Sequence, residues 1–167
     1  EHIGGLLKKQ RNWKHAVGHL YSKLGACIES DYPSLKVLSL VCECHFRQPE
    51  VFLPDVVTQL SEASLIIKVW GPIFEAAMYG SGLILHWGDT ISIEPQKSNR
   101  RLDLRILCMN VDSSYDVGNS EFARSVNKSK YFYDKRKLIL NGKVQLNNIL
   151  SVTGNCTSLV MPLIVVQ

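Results

Sequence analysis

Two acidic residues lie at the ends of neighbouring strands in a predicted β-hairpin. Asp103 opens an apolar run at residues 102–109, and Glu121 lies near the end of the strand predicted at 115–124. If these strands pair as a hairpin, their ends meet and both carboxylates point to one face. Carboxylate oxygens suit Mg²⁺, which keeps several waters and completes its shell with substrate phosphate. The pair therefore predicts a magnesium site for phosphodiester hydrolysis.

The same two acids have a second interpretation, as exposed turn residues. In that case each carboxylate pairs with an arginine close by in the sequence, Asp103 with Arg105 and Glu121 with Arg124. The residue types alone leave both interpretations open.

The pattern around these acids predicts a small sheet. Strands are expected over residues 83–87, 102–109, 115–124 and 159–166. A turn at 110–114 joins the second and third strands, and Gly118 marks a bulge. Because proline cannot donate to a ladder, Pro162 places the last strand at an edge or next to a bulge.

A long helix is predicted at residues 127–150, between the third and fourth strands. The expected buried residues are its apolar ones: Tyr131, Leu138, Val144, Leu146, Ile149 and Leu150. Gly142 weakens a helix by about 1 kcal/mol relative to alanine, so a bend is expected there. The order helix, three strands, helix, strand predicts an α/β fold with a small mixed sheet flanked by helices.

The first half of the chain reads as helical. Apolar residues recur at helical spacing over 5–27 and 57–79, and Gly71-Pro72 predicts a kink in the second of these helices. Residues 34–46 fit either a helix or a strand. We expect residues 1–56 to form an N-terminal helical extension and 57–167 the α/β core.

Positive charge is concentrated in residues 124–143. This segment holds seven basic residues and one acid, whereas the whole chain carries a net charge of +4. A basic segment attracts phosphates, which predicts a nucleic-acid partner. The alternative is an ordinary solvated helix face.

The composition is that of a globular protein, with 46% hydrophobic and 20% charged residues among 167. No apolar run reaches the length of a membrane span, so no membrane partner is expected. Five irregularly spaced cysteines do not suggest a disulfide framework, which favours an intracellular location, nuclear or cytoplasmic. The chain has the features of a piece cut from a longer protein. Its oligomeric state is not predicted by the sequence.

One other cluster resembles a metal site. Cys42-Glu-Cys44-His45 brings three metal-type ligands into four residues. Zinc sites usually separate paired cysteines by at least two residues and need a distant second pair. The spacing therefore favours ordinary helix or strand residues over a zinc site.

Three segments together resemble the PD-(D/E)XK nuclease superfamily. They are Arg101-Leu-Asp103-Leu-Arg105, Ser120-Glu121-Phe-Ala-Arg124 and Lys130-Tyr-Phe-Tyr-Asp134-Lys-Arg-Lys-Leu138. The chain is most similar to an uncharacterised fungal protein group with the pattern DLR, EFAR and KYYxDKxKL. The resemblance covers residues 57–167 and implies an α-β-β-β-α-β core like that of restriction endonucleases.

The resemblance implies roles for particular residues. Asp103 takes the place of the motif aspartate, Glu121 that of the second acid, and Glu62 that of the accessory acid on the preceding helix. These three would hold Mg²⁺. The family's lysine belongs two residues after the second acid, where this chain has Ala123.

The charge of the missing lysine must then come from elsewhere. Arg124 and Lys128 are the catalytic candidates, and Lys130 is an alternative. Arg124 stays protonated and is a poor activator of water. The predicted nucleic-acid contacts are Lys128, Lys130, Lys135, Arg136 and Lys137. Ala123 also supports an alternative function, a catalytically inactive scaffold that binds nucleic acid or protein.

Overall fold

The computed structural model describes residues 13–91, 101–109, 113–123, 127–154 and 161–166. The chain divides into two compact units, the first ending at Tyr79 and the second beginning at Gly80. The sequence had suggested a core that starts at residue 57, whereas here the helical stretch before Gly80 belongs to the first unit.

The first unit is helical throughout its described part. Helix α1 covers Trp13–Leu24 and helix α2 covers Tyr32–Arg47, so the ambiguous stretch at 34–46 is a helix. The two helices pack through Ala16, Val17 and Leu20 of α1 against Cys42 of α2. Residues 5–12 of the first predicted helix lie outside the described residues.

The remaining helices of the first unit are short. They are α3 at Pro54–Val57, α4 at Glu62–Leu65 and α5 at Gly71–Ala77. A π-helical turn, Ile66–Trp70, joins α4 to α5. In this turn the Gly71 N–H bonds to the Ile66 carbonyl. Pro72 follows at once and has no N–H to donate, so the helix is irregular near the predicted kink.

The described residues of the second unit form a mixed four-stranded sheet. Its strands are β1 Leu83–Ile91, β2 Arg101–Met109, β3 Ser114–Phe122 and β4 Leu163–Val166, in that spatial order. The first two pairings are antiparallel, and β4 runs parallel to β3. The α/β class and the mixed sheet agree with the sequence prediction.

Details of the sheet follow the sequence pattern. The β2–β3 register shifts between Ile106 and Leu107, opposite Gly118, as a bulge there requires. A side chain at Gly118 would lie only 3.1 Å from Pro162 Cγ. Pro162 itself precedes β4, and β4 is last in the order of the described strands, which fits the edge position, one of the two alternatives offered for it. Residues 110–112 of the turn predicted at 110–114 lie outside the described residues.

Helix α6, Lys128–Thr153, crosses from β3 to β4 and packs on both strands. Asn127 caps its start, because the Asn127 Oδ1 accepts hydrogen bonds from the N–H groups of Ser129 at 3.0 Å and Lys130 at 3.2 Å. The helix runs without a break through Gly142. A Cβ at Gly142 would lie 2.7 Å from Leu163 Cδ2, so the glycine lets the helix approach β4 closely.

The buried stripe of α6 differs from the predicted one. Of the six apolar residues expected inside, Leu138 alone is buried, and the others are half-buried. The remaining buried positions of the helix are Asp134, Asn141, Gly142 and Gln145. The prediction was wrong because it assumed that apolar side chains face the sheet, whereas the sheet face below α6 carries polar groups that hold polar partners.

Candidate functional site

Asp103 and Glu121 lie opposite each other on one face of the sheet. Leu104 pairs with Ser120 and Arg105 with Asn119, so the two acids are the next pair along these antiparallel strands. The Asp103 Oδ2 accepts a hydrogen bond of 2.8 Å from the Phe122 backbone N–H, which fixes that carboxylate beside Glu121. The structure thus brings together the two acids that the sequence singled out.

Lys137 of α6 reaches Glu121 from above this face. Its Nζ lies 2.5 Å from Glu121 Oε2, and the two side chains are only 14% and 4% exposed. The second oxygen, Glu121 Oε1, is buried and has no hydrogen-bond partner among the described residues. Glu121 therefore has one oxygen paired with a lysine and one buried oxygen without a hydrogen-bond partner among the described residues.

The pKa of Glu121 is raised from 4.5 to about 7, and burial is the largest cause. The negative charges of Asp103 and Asp134 also contribute to the rise, while the hydrogen bond and the positive charge of Lys137 act against it. The repulsion shows that Asp103 and Asp134 both lie near the Glu121 carboxylate. Perturbation by burial together with specific charge partners is typical of functional sites.

Asp134 and Lys130 complete this cluster from the first turns of α6. Asp134 is buried, and its Oδ2 lies 3.9 Å from Lys130 Nζ. The Lys130 ammonium also donates to the Phe122 carbonyl at 3.4 Å. Lys130, Asp134 and Lys137 follow one another at steps of four and three residues, so they share one face of the helix.

Further polar pairs lie on the same face of the sheet, beyond the two acids. Arg105 Nε donates to Asp116 Oδ1 at 2.8 Å, and Arg105 Nη1 donates to the Ile91 carbonyl at 2.7 Å. Asn119 Nδ2 donates to Gln145 Oε1 at 2.5 Å. The expected Asp103–Arg105 ion pair is wrong, because Asp116 is the acid that holds the arginine.

The other predicted site residues have different surroundings. Lys128, Lys135 and Arg136 are exposed on α6, with the Lys135 ammonium 5.8 Å from the Tyr131 ring centre. Glu62 is the first residue of α4 and belongs to the first unit. Arg124, and with it the proposed Glu121–Arg124 pair, lies outside the described residues.

Sequence reasoning missed Asp134 and the position of Lys137 beside Glu121. The signal was present as polar residues that recur at helical spacing, namely Lys130, Asp134, Lys137, Asn141 and Gln145. In an amphipathic helix that spacing normally marks the apolar stripe. A polar stripe on the covered face of a helix indicates a polar partner surface.

The donor set fits Mg²⁺ in part. In the part of the chain that the structure describes, no group of three or more His, Cys, Asp or Glu side chains is arranged to hold a metal ion. Magnesium, however, is commonly bound by one or two carboxylates, with waters and substrate phosphate completing the shell. The unpartnered Glu121 Oε1 beside Asp103 offers that smaller set.

The cysteine cluster in the first unit belongs to no group of three or more metal-type ligands among the described residues. Cys42, Cys44 and His45 lie on α2, and the thiols of Cys27, Cys42, Cys44 and Cys108 are free. The His45 ring stacks between Trp13 and Phe52, with ring centres 4.4 and 4.2 Å away. The imidazole is therefore a packing element, as the spacing had favoured.

The chain matches no protein-family model, no curated protein and no solved structure. Among the described residues, no helix combines the length and the apolar character needed to cross a membrane. The functional conclusion consequently depends on the site itself.

Proposed function

We propose that the second unit is a nuclease-like domain that hydrolyses phosphodiester bonds of nucleic acid with a Mg²⁺ ion held by Asp103 and Glu121. The observation that carries the proposal is the state of Glu121. One of its oxygens lies on Lys137, while the other is buried, unpartnered and next to Asp103. The antiparallel strands followed by a crossover helix and a parallel fourth strand support a restriction-endonuclease-like core.

Asp103 and Glu121 would hold the metal. The Phe122 N–H orients Asp103, and Lys137 restrains Glu121, so neither carboxylate has to reorganise on binding. When bound, Mg²⁺ lowers the pKa of a coordinated water and stabilises the charge that develops on the phosphate. The two acids lie at paired positions on adjacent strands of the sheet, which fixes the spacing between them.

Lys137 would take the role of the family's lysine, whose position in the sequence is occupied here by Ala123. Its ammonium lies beside the second acid, although it comes from the helix rather than from the strand. There it can orient the attacking water and neutralise the charge that develops on the phosphate in the transition state. A lysine can also lose its proton, which Arg124 cannot. We therefore assign to Lys137 the role for which the sequence offered Arg124, Lys128 or Lys130.

A second function, a nucleic-acid-binding or protein-interaction scaffold without catalysis, is favoured by two observations. Ala123 occupies the strand position of the family's lysine. The described residues also lack a three-ligand metal group. In this alternative the Lys137–Glu121 pair is purely structural. For either function the expected location, nuclear or cytoplasmic, stays a prediction.

A plasmid-nicking assay separates the two functions. The wild-type protein is expected to nick supercoiled DNA with Mg²⁺ or Mn²⁺ and to stop when EDTA is added. Glu121→Gln and Lys137→Met should each reduce the rate by about 100-fold or more, since each removes a group aligned with the reacting atoms. Lys23→Met, an exposed lysine of α1, is the matched control and should behave as wild type.

The outcomes are distinct. Nicking that persists unchanged in Glu121→Gln would come from a contaminating nuclease and would count against the proposal. Folded wild-type protein that binds the plasmid without nicking it under either metal would support the scaffold.

A further inference from the structure

A groove lies between helix α6 and strand β4. Its volume is about 330 Å³, and binding clefts run from about 300 to 1,000 Å³, so it has room for one large side chain. The groove is lined by Tyr131, Lys135, Leu138, Ile139, Leu163 and Val165. Of these six side chains four are aliphatic, one is aromatic and Lys135 alone is charged. The lining therefore suits an apolar group that has a negative charge close by.

Apolar side chains at the mouth of this groove are open to solvent. Ile139 is 49% exposed and Leu163 is 39% exposed. Phe132 precedes Ile139 by seven residues, so it lies two turns away on the same side of α6, and it is exposed as well. An exposed apolar group with a polar rim is typical of an interaction surface.

The rim around Ile139 is positively charged. Lys135 and Arg136 precede it by four and three residues, and Lys143 follows it by four, so all three are its neighbours on the helix surface. They are exposed, and among the described residues no acid forms an ion pair with any of them. The one acid of α6, Asp134, is buried. The rim is thus complementary to acidic groups.

Ring contacts hold the upper end of the groove together. The Lys135 ammonium lies 5.8 Å from the centre of the Tyr131 ring, within the range of a cation–π contact. The Tyr131 ring contacts Phe132 edge-on, with ring centres 5.5 Å apart. The cation and the apolar lining therefore form one connected surface.

An acidic peptide fits this surface better than the other polyanions do. A nucleic-acid strand would use the cations and an aromatic ring, but it has no aliphatic group for Ile139 and Leu163. An anionic bilayer accepts an apolar helix face, but it offers no side chain to enter a cleft. A peptide supplies both parts, an apolar anchor for the groove and carboxylates for the rim.

We propose that the groove between α6 and β4 binds an acidic peptide segment of a partner protein. One large apolar side chain of the segment packs against Ile139 and Leu163, and its carboxylates pair with the basic rim formed by Lys135, Arg136 and Lys143. Ile139 and Lys137 are two residues apart, a rotation of about 200°, so the groove and the candidate site lie on different sides of the helix. The inference therefore goes beyond the proposed function and does not depend on it.

The rim also predicts the spacing within the peptide. Lys135 and Lys143 lie one turn before and one turn after Ile139, and eight residues of helix span about 12 Å. An extended chain covers this distance with about four residues. Acids are therefore expected about two residues on either side of the apolar anchor.

The test is binding of fluorescein-labelled peptides of about nine residues, measured by anisotropy. Each probe carries two glutamates on either side of a central leucine, phenylalanine or tryptophan, and at least one probe should bind wild-type protein. Ile139→Ala should weaken that binding by about 5- to 30-fold, as loss of an anchor contact does. Lys135→Glu should weaken it by about tenfold or more, because like charges then meet.

Matched variants and peptides separate the anchor from the charge. Ile84 is 48% exposed on β1, at the other end of the described strand order, so Ile84→Ala should stay within about twofold of wild type. Lys23→Glu, on exposed α1 surface, controls for charge reversal. Replacing the central residue of the probe by alanine, or its glutamates by lysines, should remove most of the binding. Circular dichroism verifies that each variant is folded.

Contrary outcomes are equally specific. No binding of any of the three probes to wild-type protein, or equal losses in Ile139→Ala and Ile84→Ala, would overturn the proposal. Oligothymidylate and phosphatidylserine vesicles test the two competing partners. If either of them binds in a manner that depends on Ile139 while the peptides do not bind, the surface belongs to nucleic acid or to lipid instead.

Discussion

The two faces of strands β2 and β3 are both buried, yet they are built from opposite kinds of residue. One face carries Leu102, Leu104, Ile106 and Phe122, all nearly inaccessible to solvent. The other carries Asp103, Arg105, Asn119 and Glu121, and helix α6 covers it with polar side chains of its own. Because side chains alternate along a strand, one pair of strands provides both environments.

The difference between the two faces shows how a small unit can bury charged side chains. The apolar face gains stability from burial alone, at roughly 25 cal/mol for each square ångström removed from water. The polar face is stable only where each charge or dipole has a partner. Arg105 Nε with Asp116 and Asn119 Nδ2 with Gln145 meet that condition. Arg105 Nη2, Asn119 Oδ1 and Glu121 Oε1 have no hydrogen-bond partner among the described residues. Of these atoms, Glu121 Oε1 is the carboxylate oxygen, which is the donor type that the proposed Mg²⁺ site requires.

The strongest way to break the polar face is to remove Arg105. Arg105→Met leaves Asp116 buried without its guanidinium partner, which should cost about 3–5 kcal/mol of unfolding free energy. Urea denaturation measures the loss. Changing both residues, Arg105→Met with Asp116→Leu, should recover part of it, because no charge then remains buried alone. A single variant that loses less than about 1 kcal/mol would mean that the pair is not desolvated.

On the apolar face the corresponding change is Leu104→Ala. Leu104 is fully buried, so the truncation should cost about 2–5 kcal/mol through lost burial and a cavity. Ile84→Ala, on exposed β1 surface, is the control and should cost much less. The Leu104 variant, if it remains folded, should still bind nucleic acid, since its side chain lies on the opposite face from Lys137. Loss of binding in a folded Leu104→Ala protein would contradict this separation of the faces.

The polar face should also make stability depend on pH. The pKa of Glu121 is raised from 4.5 to about 7, so between these values the folded chain holds a proton that the unfolded chain releases. The free energy of unfolding should therefore fall as the pH rises through this window, by about 3 kcal/mol from this group. Thermal or urea unfolding in EDTA from pH 4.5 to 8 tests it.

Glu121→Gln provides the comparison for the pH experiment. The amide does not titrate, so this part of the slope should disappear in the variant while the rest of the profile remains. Identical slopes in the two proteins would show that Glu121 titrates as an ordinary exposed carboxyl.

The smallest expected effect concerns the start of α6. Asn127→Ala removes the cap that bonds to the N–H groups of Ser129 and Lys130, and it should cost about 1 kcal/mol. Asn127→Asp keeps an accepting oxygen and should retain the stability. An Asn127→Ala protein with the same free energy of unfolding as wild type would contradict the capping role.

Much of the fold was predictable because it follows local patterns. The alternation over 102–109 predicted a strand with one apolar face, and Gly118 predicted the bulge opposite Ile106 and Leu107. The juxtaposition of Asp103 and Glu121 followed from hairpin geometry. Each of these predictions depends on neighbours in sequence or on one tight connection.

The partners of the two acids were not predictable in the same way. Lys137 and Asp134 reach the sheet through the packing of α6, and no local rule states which helix face will be covered. The amphipathic pattern favoured the apolar residues and missed the polar stripe. Likewise, Arg105 bonds to Asp116 rather than to Asp103, because the bulge and the pairing of the strands decide which acid it reaches.

Calorimetric titration with Mg²⁺ tests the central claim most directly. Wild-type protein should bind the ion, and both Asp103→Ala and Glu121→Ala should abolish that binding while Asp55→Ala, an exposed acid of α3, leaves it intact. Isosteric Asp103→Asn and Glu121→Gln variants, verified as folded, guard against loss of structure. Unchanged Mg²⁺ binding in a folded variant of either acid, or no binding in the wild type, would contradict the assignment of the site.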